Sequence, residues 1–173
     1  NVPLWWLLRL TRDLIEDLWS SSLHQIVPLL PTSGESGDYS SNRRLLIASL
    51  VSQSTSQIEL WPSQIEAARR AADPDDDLVV ALPTSAGKTR IAELAALTCL
   101  SQGKRVLIVT PLRALSAQTE RSFRAVFAPL GVSVSSLYGA SGLSAGDANA
   151  LENDRIVVAT PEKLDFALRS DPD

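Results

Sequence analysis

The sequence predicts an α/β domain built on a parallel β-sheet, on three observations. Four apolar runs of strand length, "DLVVAL" (77–82), "RVLIVT" (105–110), "VSVSSLY" (132–138) and "RIVVAT" (155–160), are separated by stretches of helical character. The runs are apolar nearly throughout instead of alternating with polar residues, as strands covered on both faces are. At 173 residues, 45% hydrophobic and 21% charged, the chain has the length and composition of one globular unit able to bury a core.

Each element has its own local signal. In "LWWLLRLTRDLIEDLWS" (4–20), Trp5, Leu8, Ile15 and Trp19 recur at spacings of three, seven and four, with Leu4, Leu14 and Leu18 beside them, which predicts an amphipathic helix. Its Trp-rich stripe is expected to pack on its own domain, with a protein partner as the alternative occupant. After Pro28 and Pro31, the Ser- and Gly-rich "PTSGESGDYSSN" (31–42) reads as a linker, and "RRLLIASLVS" (43–52) as a second short helix. Residues 1–55 thus form a helical N-terminal extension, and the α/β pattern occupies 56–173. There, strand 77–82 leads into helix 87–101, which Gly103 stops. Strand 105–110 leads into a helix that reaches about Phe127 and is broken by Pro129 and Gly131. Strand 132–138 follows, and strand 155–160 leads into a helix with Pro161 in its first turn, where a missing N–H costs nothing.

Composition removes several function classes. A net charge of −4 weighs against a broadly basic nucleic-acid binder, although a basic groove needs only local clustering of Lys and Arg. Cys99 is the single cysteine, which excludes a disulfide framework and fits a small buried apolar residue. His24 is the single histidine, without ligand spacing around it, so no metal is expected except one brought by a nucleotide. The apolar "PLWWLL" (3–8) is far shorter than the ~20 residues of a membrane span and runs into Arg9, Arg12 and Asp13. A cytoplasmic protein without membrane contact is expected, and a start at Asn1 reads as a fragment of a longer chain.

The run "LPTSAGKT" (82–89) carries the chemistry. A phosphate loop of the form G-x-x-x-x-G-K-[ST] sits between a strand and a helix, and this segment matches its last three positions, with Leu82 where the first Gly would stand. Small side chains at Thr84, Ser85, Ala86 and Gly87 let phosphate oxygens approach the backbone N–H groups of the loop. The Lys88 ammonium can reach the β and γ phosphates, and the Thr89 hydroxyl can ligate Mg²⁺ at the helix N-terminus, where the dipole favours anions. An ATP–Mg²⁺ site follows, with Lys88 and Thr89 as candidate catalytic residues.

Three further segments narrow the class. "PTSAGKT", with Leu82 at the first Gly position, resembles motif I of superfamily-two helicases. "ELWPSQIEAA" (59–68) resembles the Q-motif region, in which Gln64 is the position that recognises the adenine edge. "TPLRALSAQ" (110–118) resembles motif Ia and "VVATPEKLD" (157–165) motif Ib; "PLRAL" and "TPEKLD" are closest to the Ski-type branch of DExH/DEAD-box helicases. The resemblance covers about residues 57–173 and implies a RecA-like ATP-binding domain, incomplete at its C-terminus. It further implies an ATP-dependent helicase that grips single-stranded nucleic acid by its backbone through Thr110, Pro111, Arg113, Thr160, Pro161 and Lys163.

One departure from the family stands out. Its motif II carboxylates, which hold Mg²⁺ and position the attacking water, do not occur before the chain ends at "SDPD", and the second RecA-like domain with its arginine finger is missing too. Asp75, Asp76 and Asp77 lie at the wrong end of their strand to substitute and read as a solvated turn. The 173 residues alone are therefore expected to hydrolyse ATP poorly, with a DExH box soon after Asp173. A non-catalytic, ATP-responsive scaffold is the alternative, while a P-loop kinase is disfavoured by the Ia and Ib segments.

Overall fold

The computed structural model describes residues 2–29, 37–53, 58–73, 75–83, 87–137 and 144–170. Along the chain run α1 (Val2–Ser20), α2 (Leu23–Ile26), α3 (Gly37–Ser52), α4 (Pro62–Ala71), α5 (Lys88–Ser101) and β1 (Val106–Val109). Then follow α6 (Arg113–Phe127), a 3-10 turn (Ala128–Leu130), β2 (Val134–Leu137), α7 (Ala145–Asn153), β3 (Ile156–Ala159) and α8 (Pro161–Ser170).

The strands form a parallel sheet in the order β1-β3-β2. Val106 and Val134 both lie across from Ile156, and Val109 and Leu137 both lie across from Ala159. Because the three strands start and stop together, the residues that follow β1 and β3 emerge side by side at one end of the sheet. All four residues of the central β3 are buried, as a strand covered on both faces requires. β1 instead alternates: Leu107 is 50% and Val109 48% exposed, so one of its faces is uncovered by the described residues.

The fourth expected strand does not form. Residues 77–82 belong to no sheet, and Val79 is 91% exposed while Leu78 and Val80 touch the core cluster. An apolar run supplies the side chains of a strand, but the ladder is made by a neighbour, and β1 pairs only with β3 among the described residues. The Asp run ahead of it is a turn in which Asp76 accepts from Arg70 Nε (2.6 Å) and Nη2 (2.8 Å). That bond holds the Asp76 carboxyl below its ordinary value.

Tertiary contacts also lengthen a helix. Residues 37–42, expected as linker, form the first turns of α3, while 31–36 lie outside the described residues. The Tyr39 ring is buried and its hydroxyl donates to the Pro28 carbonyl (2.9 Å), which pins this turn against the chain just after α2. One turn on, Arg43 donates to the Val27 (2.9 Å) and His24 (2.5 Å) carbonyls, satisfying groups that the end of α2 leaves open. Leu46, Ile47 and Leu50 of α3 are fully buried in the same cluster as Leu97 of α5, Phe123 and Phe127 of α6 and Ile156 of β3. The two phenylalanines stack with ring centroids 5.6 Å apart, anchoring α6 to this core.

α1 is the exception: it has no buried residue, and Trp5, Leu8, Ile15 and Trp19 are all exposed. The expected packing of its Trp stripe on the domain is therefore not made by the described residues. It joins the domain at its C-terminal end, where Ser22 bridges to Glu59 and the Leu23 N–H donates to the Ile58 carbonyl (3.0 Å). Among the described residues no helix is long and apolar enough to cross a membrane.

Candidate nucleotide and nucleic-acid site

The nucleotide end is built from the start of α4 and the start of α5. Pro62 opens α4 with its fixed φ, and Gln64 at the third position is 2% exposed with both ends of its amide engaged. Its Oε1 accepts from the Trp61 backbone N–H (2.8 Å), as a residue at this position does in a capping box. Its Nε2 donates to the Gly87 carbonyl (3.3 Å), so Gln64 and Gly87, both expected at the nucleotide, are in direct contact.

Gly87 is the N-cap of α5 and sits in the left-handed region at φ 77°, ψ 31°. A Cβ at this position would lie 1.8 Å from Gln64 Nε2, so any larger residue would push the Gln64 amide aside, and the left-handed φ itself favours glycine. Gly87 has no side chain with which to cap α5, and the Arg90 N–H of the first turn donates to the Gly87 carbonyl (3.0 Å). Gly87→Ala in the full-length protein is expected to weaken binding of a fluorescent ATP analogue more than about tenfold by displacing Gln64 and the loop together. Unchanged affinity would refute the cradle.

Lys88 and Thr89, the first two residues of α5, are both exposed. The Lys88 ammonium donates to the Leu82 (2.5 Å) and Pro83 (3.1 Å) carbonyls, folded back on its own loop. A left-handed glycine at a helix N-terminus and an exposed lysine held by weak neutral acceptors together fit a polyphosphate. Thr84, Ser85 and Ala86, the other predicted loop residues, lie outside the described residues. No cluster of three or more His, Cys, Asp or Glu suited to a metal occurs among the described residues.

The second group lies where β1 and β3 end. The Thr110 N–H donates to the Ala159 carbonyl (2.9 Å) and the Thr160 N–H to the Leu137 carbonyl (3.2 Å), so the Ia and Ib threonines extend the ladder and adjoin. Both are buried, and the Thr110 hydroxyl is 2.5 Å from that of fully buried Ser116, turned into α6. Pro111 and Arg113 are exposed, Arg113 as the first residue of α6, and exposed Pro161 opens α8. Lys163 is different: its ammonium lies 2.9 Å from Asp147, and the two side chains are 10% and 16% exposed. Burial works to raise the Asp147 carboxyl, but the Ser144 N–H, Lys163 and the Ser144 hydroxyl outweigh it and hold it below its ordinary value. As placed, Lys163 braces α8 against α7.

A third feature went unread in the sequence. Glu93 of α5 is 0% exposed, with its Oε2 held by Arg90 of the same helix and its Oε1 accepting from the Ser122 hydroxyl of α6 (3.2 Å). Burial drives its carboxyl up from 4.5 to about 7, opposed by the charge and hydrogen bond of Arg90 and by Ser122. The signal was available: Glu93 lies between Ile91 and Leu94 on the helix face that goes into the core.

A parallel sheet flanked by helices, with a glycine-pinned loop at a helix N-terminus, defines a RecA-like nucleotide-binding fold. The DEAD/DEAH box helicase pattern matches residues 61–171, and the chain belongs to that family. It is similar to the Hachiman protein HamB of Bacillus cereus, 33% identical over 177 residues that take in all of this chain and 15% of the relative. It is also similar to the ATP-dependent DNA helicase Hel308 of Methanocella arvoryzae, 34% identical over 120 residues, 65% of this chain and 15% of the relative. Among solved structures it resembles the RNA helicase Prp28 of Chaetomium thermophilum bound to ADP, with a TM-score of 0.63 and 27% identity over 83% of this chain and 36% of that one. The chain thus spans about 15% of the length of these two sequence relatives.

Proposed function

We propose that this chain is the ATP-gripping part of the first motor domain of an ATP-dependent nucleic-acid helicase of the Ski-type branch. The observation that carries the reading is the placement of the Ia and Ib segments. In-register β1 and β3 put Thr110 and Thr160 next to each other, with exposed Arg113 and the N-terminus of α8 flanking them, at the carboxyl ends of parallel strands where open α/β sheets bind ligands. The "PLRAL" and "TPEKLD" segments support the branch.

In this reading the backbone amides of Ser85, Ala86, Gly87 and Lys88 bind phosphate oxygens, with Thr84 beside them. Lys88 leaves the Leu82 and Pro83 carbonyls to reach the β and γ phosphates. The Thr89 hydroxyl takes Mg²⁺, and Gln64 turns from its backbone partners to the adenine edge. Bound ATP–Mg²⁺ supplies the phosphoryl bond whose cleavage drives motion. Arg113 and the amides that open α8 hold phosphates of a single strand. Pro111 and Pro161, lacking N–H groups, shape that surface, while buried Thr110 and Thr160 fix it from beneath. Lys163 joins it by exchanging Asp147 for a phosphate. Such contacts ignore base identity and weaken with salt.

ATP turnover of the full-length protein, measured with and without single-stranded RNA or DNA over a range of salt, tests this reading. Stimulation that declines as salt rises is expected; turnover indifferent to either strand would overturn it.

A further inference from the structure

We propose that Glu93 and Ser122 are positioning residues that couple the phosphate loop to the nucleic-acid surface, an inference that rests on the helicase reading above. α5 begins with Lys88 and Thr89, at the nucleotide, and α6 begins with Arg113, at the strand. Both helices pack on α3, α5 through apolar side chains that are non-directional and α6 through apolar side chains and the Ser49 hydroxyl, which donates to the Ala125 carbonyl (3.3 Å), so α3 does not by itself fix the register of α5 along α6. The Ser122 hydroxyl of α6, donating to Glu93 Oε1 of α5, is a directional tie between them.

Both ends of that tie are themselves restrained. Glu93 is fully buried, and its second oxygen is held by Arg90, the residue that directly follows Thr89. Arg90 lies in the first turn of α5, so the carboxylate grips the turn that carries the phosphate-binding pair with one oxygen and α6 with the other. Ser122 is on the same helix as Ser116, whose hydroxyl pairs with Thr110 at the end of β1. A polar path therefore runs from the turn after Thr89, through Arg90, Glu93 and α6, to the Ia segment. A shift of the first turn of α5 on phosphate binding is passed to α6 as a change in where Arg113 sits.

The test uses the full-length protein and two isosteric variants, Ser122→Thr, which keeps the hydroxyl, and Ser122→Val, which removes it. Ser122→Val is expected to lower the nucleic-acid stimulation of ATP turnover at least about fivefold, with unstimulated turnover and the KM for ATP without nucleic acid unchanged. Ser122→Thr is expected to keep the wild-type ratio. Glu93→Gln, which retains an acceptor for Ser122, is expected to lose less stimulation than Glu93→Leu. Equal stimulation ratios in the Val and Thr variants, or unstimulated turnover falling in step with stimulated turnover in Ser122→Val, overturn the proposal. A wild-type protein that nucleic acid does not stimulate overturns the helicase reading itself and this inference with it. A stimulated wild type with indifferent variants overturns this inference alone.

Discussion

Replacing Lys88 by Ala in the full-length protein is expected to abolish nucleic-acid-stimulated ATP hydrolysis, with kcat falling at least about 10²- to 10³-fold, while the fold survives. The two halves of that expectation have separate physical grounds. The ammonium lies on the loop at the start of α5, and charge that develops on the transferred phosphoryl group is stabilised in proportion to how well such donors are placed. Among the described residues its hydrogen bonds are to two loop carbonyls, Leu82 and Pro83, on an exposed side chain. Those carbonyls can return to water, so the stability cost is that of an ordinary surface substitution, within about 0.5 kcal/mol. Steady-state ATP turnover together with a thermal melt reads both halves. Turnover within a few fold of wild type would remove Lys88 from the site.

Glu93→Gln is expected to change the pH dependence of stability more than its value at any one pH. The Glu93 carboxyl is raised from 4.5 to about 7 in the folded protein, chiefly by burial. Below about pH 4.5 both folded and unfolded chains carry its proton, and between there and about 7 the folded chain alone retains it. The unfolded state then binds fewer protons, so this group's contribution to stability falls as pH rises through the window and levels off above it. Gln is uncharged throughout and has no such slope. The stability of Glu93→Gln relative to wild type should therefore rise by about 2–3 kcal/mol between pH 5 and pH 8. Hydrogen exchange of the α5 amides, compared between the two proteins at each pH, measures the difference locally. A difference that is flat with pH would mean that Glu93 is charged in the fold at all these values.

Much of the fold was legible before any coordinates. Helices α1, α5, α6 and α8 and the three strands fall within a few residues of where periodicity and the Gly and Pro stops put them. Two of the misses share a cause. Residues 77–82 are as apolar as β3 yet form no strand, because pairing is a property of two segments and periodicity describes one. Residues 37–42 have the composition of a linker yet are helical, because Tyr39 and Arg43 find carbonyl partners around residues 24–28, remote in sequence. Helix α7 sits in a stretch too weakly amphipathic to be read, but its start carries a Ser144–Asp147 capping box that a closer reading would have marked.

For the site, the sequence by itself determined the residue types. A GKT at a helix N-terminus, a glutamine after Trp-Pro-Ser and two Thr-Pro steps after apolar strands are local patterns, each set by chemistry within a few residues of itself. The tertiary structure alone decided their partners. It set Gln64 against the Gly87 carbonyl, turned the Thr110 hydroxyl inward to Ser116, gave Lys163 to Asp147, and joined α5 to α6 through Glu93 and Ser122. Each of those choices is a hydrogen bond or ion pair between segments 6 to 29 residues apart in the chain. Such a bond exists because packing has removed the competing water from both groups, and no window of sequence contains that information.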